Sequence, residues 1–314
     1  MDIAIVGLGR MGGNMARRLM LDGHRVVANN RSRGPIDELT GEGAVAAYTP
    51  EEVVAHLPQP RVVWLMVPAG QPVDDQIDTF LPLLSPGDIL IDGGNSRYTD
   101  TIARAERIQP TGVHYMDCGT SGGVWGLQVG YCLMIGGPDE AFKIVEPAYK
   151  SLAPENGYLH VGPNGAGHYV KMIHNGIEYG MMQAYAEGFE ILEKSRYDLD
   201  LHKIAGLWNQ GSVVRSWLLE LAERALAEDP KLEGVRGYVQ DSGEGRWTVF
   251  ESIDLDVAAP TIYMSLAMRF LSRQDDNFAN KMLAALRFQF GGHIVAKEIG
   301  EPHGSSTAAL KPES

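Results

Sequence analysis

Cysteine is scarce in this sequence, and its two residues, Cys118 and Cys132, are too few for a disulfide framework. Their separation is not that of a metal-binding cysteine cluster, and the nine histidines show no regular ligand spacing. We therefore expect neither disulfides nor a bound metal. Free cysteines fit a reducing compartment such as the cytoplasm.

Long apolar runs and an excess of positive charge are also lacking. No apolar segment approaches the roughly 18 residues of a membrane-spanning helix, and the chain begins with a strand-like segment instead of a signal peptide. The 27 Lys and Arg residues are outnumbered by 40 Asp and Glu, which gives a formal net charge of −13. We expect a cytoplasmic protein that binds neither nucleic acid nor membranes, and an anionic substrate would need a local basic pocket.

The composition is otherwise that of a globular protein, and 314 residues suit two domains. Short apolar strands alternate with helix-like runs over the first half, which is typical of a doubly wound α/β sheet. The second half has mostly helical periodicity. We predict a dinucleotide-binding Rossmann-type domain at residues 1–163, an all-α domain at 164–300 and a loosely ordered tail at 301–314.

A glycine-rich motif follows the first predicted strand, Asp2–Val6, and leads into a helix-like run. Its residues match G-x-G-x-x-G in the strand–turn–helix setting that this pattern requires: Gly7, Leu8, Gly9, Arg10, Met11 and Gly12. The glycines permit a tight turn, close approach of a pyrophosphate and close helix packing. Free N–H groups at the helix N-terminus favour phosphates. We therefore predict a dinucleotide site here and not a mere glycine turn.

The second predicted strand, Arg25–Asn29, is followed by Asn30, Arg31, Ser32 and Arg33. An NAD-binding protein usually places an acid here for the ribose 2′-hydroxyl, but this chain has none before Asp37. Arginine and serine suit a 2′-phosphate, through charge-assisted hydrogen bonds and stacking on adenine. We predict NADP, with NAD as the alternative cofactor; two solvated surface arginines are the other interpretation.

Three further loops follow predicted strands and would reach the cofactor or the substrate. The loop at the end of the strand at 61–67 contains Val67, Pro68 and Ala69, and Asn95 follows the strand at 88–92. The loop at 119–123 could hold a carboxylate with Ser121 and backbone N–H groups. Without a ligand, all three would be ordinary turns.

Residues 165–178 are predicted to form a helix that carries Lys171, His174, Asn175 and Glu178 on one face. Apolar residues between them would bury the helix: Val170, Met172, Ile173 and Ile177. A buried polar stripe is costly unless its members are paired or used. Spacing alone favours a structural Lys171–Glu178 ion pair, because structural pairs are commoner than catalytic ones. The other interpretation is a base and an acid in one site.

The second half is predicted to be helical throughout. The first helix would continue to about residue 194, and later ones would occupy 202–209, 215–228, 249–258, 260–273 and 277–288. Two polar clusters, at 245–248 and 287–293, are expected to interrupt these helices.

Together these segments resemble decarboxylating 6-phosphogluconate dehydrogenase in its short-chain bacterial form, within the β-hydroxyacid dehydrogenase superfamily. The matching segments are GLGRMG at 7–12, NRS at 30–32, DGGNS at 92–96, SGG at 121–123, GHYVKMIHNGIEYG at 167–180, RWT at 246–248 and RFQFGGH at 287–293. All dinucleotide folds share the first motif, whereas KMIHNGIE is much more specific. The resemblance extends to about His293 and implies that the helical domain serves substrate binding and dimerisation.

The resemblance implies oxidative decarboxylation of 6-phospho-D-gluconate to D-ribulose 5-phosphate and CO₂, with reduction of NADP, as in the pentose phosphate pathway. Lys171 would take the proton from the C3 hydroxyl, and Glu178 would protonate C1 of the enediol. These roles require a neutral lysine and a protonated glutamate, and burial would favour both. The family's chemistry needs no metal.

The resemblance also implies how the substrate is held. Residues for its carboxylate and hydroxyls would be Asn95, Ser121, Gly122, Gly123, His174 and Asn175. Residues for its phosphate would be Tyr179, Arg246, Thr248 and Arg269. Arg287 and His293 would come from a neighbouring subunit, which would make the active site shared and an oligomer obligatory.

Two segments depart from the long form of the family, and two alternatives remain. Arg246 stands where the long form has lysine, and Val124-Trp125 stand where it has two glutamates. One alternative is a β-hydroxyacid dehydrogenase of the 3-hydroxyisobutyrate or tartronate semialdehyde type, which does not typically carry the run containing Glu178. The other is a non-catalytic NADP-binding protein, against which the retention of both Lys171 and Glu178 argues.

Overall fold

The computed structural model describes residues 1–291, and its first 162 residues form an eight-stranded sheet with helices on both faces. The strands are β1 (Asp2–Val6), β2 (Arg25–Asn29), β3 (Val45–Ala46), β4 (Val62–Leu65), β5 (Ile89–Asp92), β6 (His114–Ser121), β7 (Cys132–Gly136) and β8 (Tyr158–Gly162). Their order is β3-β2-β1-β4-β5-β6-β7-β8. Only the β6–β7 contact is antiparallel among these pairs. The predicted doubly wound sheet is confirmed.

The central strand β1 is buried on both faces. Ile3 and Ile5 point into one hydrophobic cluster, whereas Ala4 and Val6 point into the other. Because successive side chains of a strand alternate between faces, an almost entirely apolar strand needs helices on both sides. The strand order reverses between β1 and β4, which is where doubly wound sheets bind ligands.

The helices of the sheet domain are α1 (Arg10–Leu21), α2 (Arg33–Gly41), α3 (Pro50–Ala55), α4 (Gln71–Phe80), α5 (Tyr98–Ile108), α6 (Gly126–Val129) and α7 (Asp139–Leu152). Those of the helical domain, up to residue 291, are α8 (Ala166–Glu193), α9 (Leu201–Trp208), α10 (Trp217–Glu228), α11 (Glu244–Asp254), α12 (Pro260–Leu271) and α13 (Phe278–Gly291). Within this part of the chain no helix is both long and apolar enough to cross a membrane.

The 28-residue helix α8 joins the two domains, because it packs on β6 and β7 and also on α11 and α12. The predicted boundary after residue 163 falls in the short connection between β8 and α8. The predicted domain end at 300, the tail at 301–314 and His293 lie outside the described residues.

Three details of the sequence prediction are wrong. The two-residue strand β3 was not predicted, because it is too short to show a periodic pattern. The two polar clusters do not interrupt the helices, since α11 already begins at Glu244 after Gly243, whose positive φ makes the turn, and the described residues of the second cluster, 287–291, lie within α13. Val170 and Ile177 do not bury α8, because they are 38% and 53% exposed.

Candidate active site

A cavity of about 980 Å³ lies between the two domains, at the carboxyl ends of β5 and β6. Asn95 and Ser121 line it from the sheet domain. Lys171, His174, Asn175 and Glu178 line it from α8, together with an apolar wall that includes Val170, Ile173, Ile177 and Trp217. The polar stripe that was predicted on α8 therefore opens into a cavity, and the exposed apolar residues form its wall.

Two residues of β6 hold α8 against the sheet. The buried Asp117 carboxylate accepts hydrogen bonds from the backbone N–H groups of Gly165, at 2.8 Å, and His168, at 2.9 Å, at the N-terminus of α8. At Gly119, a Cβ would lie 2.4 Å from the Cβ of Lys171. Lys171 can approach β6 this closely only because residue 119 has no side chain.

Sequence reasoning missed both of these supports. The only available signal is an acid, Asp117, between the apolar residues Met116 and Cys118 of a predicted strand, two residues before Gly119. The contacts that give these residues a role join positions about 50 apart in the chain.

Lys171 is well suited to act as a base. Its side chain is buried, at 5% exposure, and its Nζ donates a hydrogen bond to Oδ1 of Asn175. Burial lowers the pKa of Lys171, while the negative charges of Glu178 and Glu244 oppose this shift in part. Among residues 1–291 Lys171 forms no ion pair with Glu178, so the structural pair that spacing favoured is not formed.

His174 connects the α8 stripe to the loop after β6. Its Nε2 lies 3.4 Å from Oγ of Ser121, and its Nδ1 lies 3.0 Å from Oδ1 of Asn175. A proton on Nδ1 satisfies both contacts, because Nδ1 then donates to Asn175 and Nε2 accepts from the Ser121 hydroxyl. The same Nδ1 lies 3.8 Å from Oε2 of Glu178.

Glu178 stands at the edge of this group, with a side chain that is 36% exposed. The sequence predicts a buried Glu178, and within the single chain that prediction is wrong. Glu178 and Asn175 also line a second cavity, of about 340 Å³, on the side away from Lys171.

Tyr179 and Arg269 line the second cavity, together with Asp241. The guanidinium of Arg269 lies 3.5 Å from the centroid of the Tyr179 ring and donates a hydrogen bond to the carbonyl oxygen of Gln240, at 2.8 Å. A cation and a phenol therefore stand on one side of Asn175 and Glu178, and Lys171 stands on the other.

Arg246 and Thr248 lie beside this cavity and do not line it. Arg246 donates through Nε and Nη2 to the Asp241 carboxylate, at 2.7 and 3.1 Å, and Arg273 donates to the same group, at 3.0 Å. Hydrogen bonding to Arg246 helps hold the pKa of Asp241 below its ordinary value. Thr248 is buried, and its hydroxyl donates to the carbonyl oxygen of Met172, at 2.8 Å, in the contact between α8 and α11.

The remaining predicted substrate residues, Gly122, Gly123 and Arg287, lie in different parts of the structure. Gly122 and Gly123 line the larger cavity beside Ser121. Arg287 is exposed on α13 and lines neither of the two cavities within residues 1–291. The structure thus brings most, but not all, of the predicted substrate group together.

The glycine-rich turn after β1 fits a dinucleotide pyrophosphate. Gly9 is the cap residue of α1, and a Cβ there would meet no atom within 4 Å, so its backbone faces open space. A Cβ at Gly12 would lie 2.0 Å from the carbonyl oxygen of Gly7, so this glycine lets α1 pack closely on the turn. The first turn of α1 has no acidic residue to repel phosphates.

The segment after β2 divides into a structural part and an exposed part. Oδ1 of Asn30 accepts a hydrogen bond from the N–H of Leu8, at 3.1 Å, and its Nδ2 donates to Oγ of Ser32, at 3.0 Å. Arg33 lies over the ring of Tyr48, 5.1 Å from its centroid. Arg31 is exposed, and no hydrogen bond or ion pair among residues 1–291 involves it.

The other predicted cofactor residues border the same edge of the sheet. Arg10, Pro68 and Ala69 are exposed, Val67 is half-buried, and Met11 lines the larger cavity. Asn95 has a positive φ of 51°, and its amide binds Thr120 twice: Oδ1 accepts from the Thr120 N–H at 2.9 Å, and Nδ2 donates to the Thr120 carbonyl at 3.2 Å. In the part of the chain that the structure describes, no group of His, Cys, Asp or Glu residues could hold a metal ion.

Two features together define the class of protein: a glycine turn at the switch point of a doubly wound sheet, and a buried lysine on an interdomain helix. It is an NAD(P)-dependent oxidoreductase with a dinucleotide-binding domain followed by a helical domain.

Comparison with known proteins identifies the family. Residues 2–162 match the NAD binding domain of 6-phosphogluconate dehydrogenase, and residues 167–297 match its C-terminal domain. The chain is 48% identical to Bacillus subtilis YqeC, a protein provisionally named 6-phosphogluconate dehydrogenase, over 95% of this chain and 100% of that protein. It is 44% identical to the NAD(+)-dependent, decarboxylating 6-phosphogluconate dehydrogenase of Haloferax volcanii, over 95% and 99% of the two chains.

A solved structure agrees with this result. The 6-phosphogluconate dehydrogenase of Plasmodium falciparum is similar to this chain with a TM-score of 0.82 at 29% identity, over 96% of this chain and 67% of that one. The chain belongs to the 6-phosphogluconate dehydrogenase family.

Proposed function

We propose that this chain converts 6-phospho-D-gluconate to D-ribulose 5-phosphate and CO₂ while it reduces a nicotinamide dinucleotide. One observation carries the proposal: α8 presents Lys171 to the larger cavity, and Asn175 and Glu178 separate that cavity from Tyr179 and Arg269. A substrate with its reacting alcohol and carboxylate at one end and a phosphate at the other fits this arrangement. Its carboxylate would face the Ser121 loop and His174.

The protein's part in the reaction is mainly proton transfer. Bound NADP or NAD supplies the acceptor for the hydride from C3. Lys171, whose pKa is lowered by burial, accepts in its neutral form the proton of the C3 hydroxyl as C3 is oxidised to a ketone. The C1–C2 bond then breaks and CO₂ leaves, its electron pair forms a double bond between C2 and C3, and the C3 carbonyl π pair moves to the carbonyl oxygen. The Lys171 ammonium returns its proton to that oxygen and yields an enediol.

Glu178 completes the reaction. It protonates the enediol carbon that becomes C1 of ribulose 5-phosphate, while Lys171 takes the proton from the hydroxyl that becomes the C2 ketone. Because Lys171 and Glu178 lie on one helix, the distance between base and acid is fixed by α8.

We propose NADP as the preferred cofactor. The exposed Arg31 can reach a 2′-phosphate, and no carboxylate occurs among residues 30–33 to repel it. The relatives differ in this respect: the Haloferax volcanii enzyme is named for NAD(+), and the Plasmodium falciparum enzyme was studied with NADP+.

We also propose that the active site is completed by a second copy of this chain. The helix α13 carries Arg287 and exposes large apolar side chains, among them Phe278 and Leu283. Exposed apolar side chains grouped on one helix are typical of a protein–protein interface. Mixing Lys171→Met with Arg287→Ala chains tests this idea. If Arg287 acts in the partner's site, about a quarter of the sites in a random mixture of dimers become intact and activity returns. If each chain keeps its own Arg287, mixing restores nothing.

The overall function is tested by one assay on the purified chain. NADP and NAD reduction are followed with 6-phosphogluconate, and CO₂ release is measured in the same reaction. We expect equal amounts of reduced cofactor and CO₂. No reduction with either cofactor would refute the proposal, and reduction only with 3-hydroxyisobutyrate would assign the chain to the other branch of the superfamily.

A further inference from the structure

A buried guanidinium lies next to the cofactor edge and has no role in the reaction described above. Arg104 on α5 donates through Nε and Nη2 to the two carboxylate oxygens of Asp74 on α4, both at 2.8 Å. Its Nη2 also donates to the carbonyl oxygen of Gly70, at 3.1 Å. Gly70 ends the 67–70 loop and is the cap residue of α4. Arg104 therefore holds the end of one predicted cofactor loop.

The same guanidinium reaches the next loop through Asp92. Nη1 of Arg104 lies 3.5 Å from Oδ2 of Asp92, which is completely buried at the end of β5. Oδ1 of Asp92 accepts from the N–H of Gly94, at 2.9 Å, and Oδ2 accepts from the hydroxyl of Ser96, at 2.7 Å. Asp92 thus binds the residues on both sides of Asn95.

Asn95 is held in an unusual conformation by these contacts. A positive φ is uncommon for a residue other than glycine, and it directs the Asn95 amide to the backbone of Thr120. Asn95 and Thr120 both line the cavity that contains Lys171. An unbroken series of contacts therefore runs from Gly70 through Arg104 and Asp92 to Asn95.

We propose that Arg104 is a positioning residue that holds the 67–70 and 92–96 loops together and thereby sets the place of Asn95 in the active site. The kinetic part of this inference rests on the function proposed above. Arginine suits the task because its planar guanidinium binds several acceptors in a fixed geometry.

Stability alone is a poor explanation for Arg104. Desolvation offsets much of the attraction within a buried ion pair, and an apolar side chain of similar size often serves stability equally well. Moreover, Nη1 of Arg104 is buried and makes no hydrogen bond among residues 1–291, so its contact with Asp92, at 3.5 Å, is an ion pair without a hydrogen bond. A group selected only for the strength of its own pairing would not leave this buried donor unsatisfied.

The test is Arg104→Met, with Arg107→Met as the matched control. Arg107 lies on the same helix but is half-exposed and donates a hydrogen bond to Asp78 at the surface, at 2.9 Å. It approaches the Asp74 carboxylate only to 3.9 Å and touches neither Gly70 nor Asp92, so its removal leaves the Arg104 contacts in place. We expect Arg104→Met to weaken NADPH or NADH binding several-fold and to lower kcat/KM for 6-phosphogluconate by about 10- to 100-fold. Hydrogen exchange should become faster in peptides covering 67–70 and 92–97, and not throughout the chain. Arg107→Met should match the wild type in all three measurements.

Two further variants keep the inference open to refutation. Arg104→Lys retains the charge, but one ammonium cannot bind Asp74, Gly70 and Asp92 together, so we expect it to behave like Arg104→Met; wild-type behaviour would reduce Arg104 to a charge-balancing role and overturn the proposal. If Arg104→Met does not fold, Ser96→Ala decides, and it should weaken cofactor binding and loosen the 92–97 peptide.

Cofactor affinity and hydrogen exchange can both be measured without substrate, so they do not depend on the proposed function. Unchanged values for both in Arg104→Met, or in Ser96→Ala if the first variant is unfolded, refute the positioning role even if the wild type is fully active. A wild type that does not oxidise 6-phosphogluconate refutes the proposed function, and these two measurements still decide the role of Arg104.

Discussion

Replacing Gly176 with alanine is expected to disturb the contact between the two helices that carry most of the site. A Cβ at position 176 of α8 would lie 2.5 Å from Cγ2 of Thr248 on α11 and 2.9 Å from its Cβ and Oγ1. Thr248 cannot easily move away, because it is buried and its hydroxyl is bonded to the carbonyl oxygen of Met172. The helices must therefore separate by roughly 1 Å to restore normal contact.

The magnitude follows from two opposing effects. Overpacking of this kind costs about 1–3 kcal/mol, whereas alanine in a helix interior is better than glycine by up to about 1 kcal/mol. We expect a net loss of about 1–2 kcal/mol in the free energy of unfolding and a Tm lower by roughly 2–6 °C. Since Asn175 and Glu178 lie within two residues of the substituted position, a shift near 1 Å should also lower kcat/KM by about 10- to 100-fold.

Gly188 on the same helix offers a matched control, because a Cβ there would meet nothing within 4 Å. Gly188→Ala should raise stability by up to about 1 kcal/mol and leave the kinetics unchanged. Thermal melting and steady-state kinetics of both variants are the required measurements. If Gly176→Ala proved as stable and as active as Gly188→Ala, the tight α8–α11 contact would not exist as described.

Three further predictions concern the charged groups. Lys171→Met should lower kcat/KM by about 10³-fold or more while the protein remains folded, since general-base catalysis commonly contributes 10²- to 10⁴-fold; near-normal turnover would exclude Lys171 as the base. In the wild type, kcat/KM should rise with pH up to the lowered pKa of Lys171. The folded state releases the Lys171 proton at lower pH than the unfolded state does. As pH increases between those two pKa values, the free energy of unfolding of the wild type should therefore rise relative to that of Lys171→Met, by at most about 1.4 kcal/mol per pH unit. A decrease over this pH range would contradict the burial of Lys171. Arg31→Ala should weaken NADP much more than NAD in binding titrations, and equal losses would contradict a 2′-phosphate contact.

Most of the fold could be predicted because it depends on local patterns. The turn at Gly7–Gly12 follows an apolar strand, and the polar stripe of α8 follows from a period of 3.6 residues, so residues close in sequence were enough. The wrong details arose where local signals were weak. The strand β3 is only two residues long, and α11 begins directly after Gly243 and includes Gly245, two residues that are typical of a loop.

The sequence by itself determined which residues share a helix face, and only the tertiary structure decided what each of them contacts. Lys171 binds Asn175, one turn away, and leaves Glu178 to border a second cavity. Thr248, which the family resemblance placed at the phosphate, is occupied in helix packing. The helix cap from Asp117 joins residues far apart in the chain. Such contacts depend on strand register and on the angle at which helices cross, and neither is encoded in the spacing of any one segment.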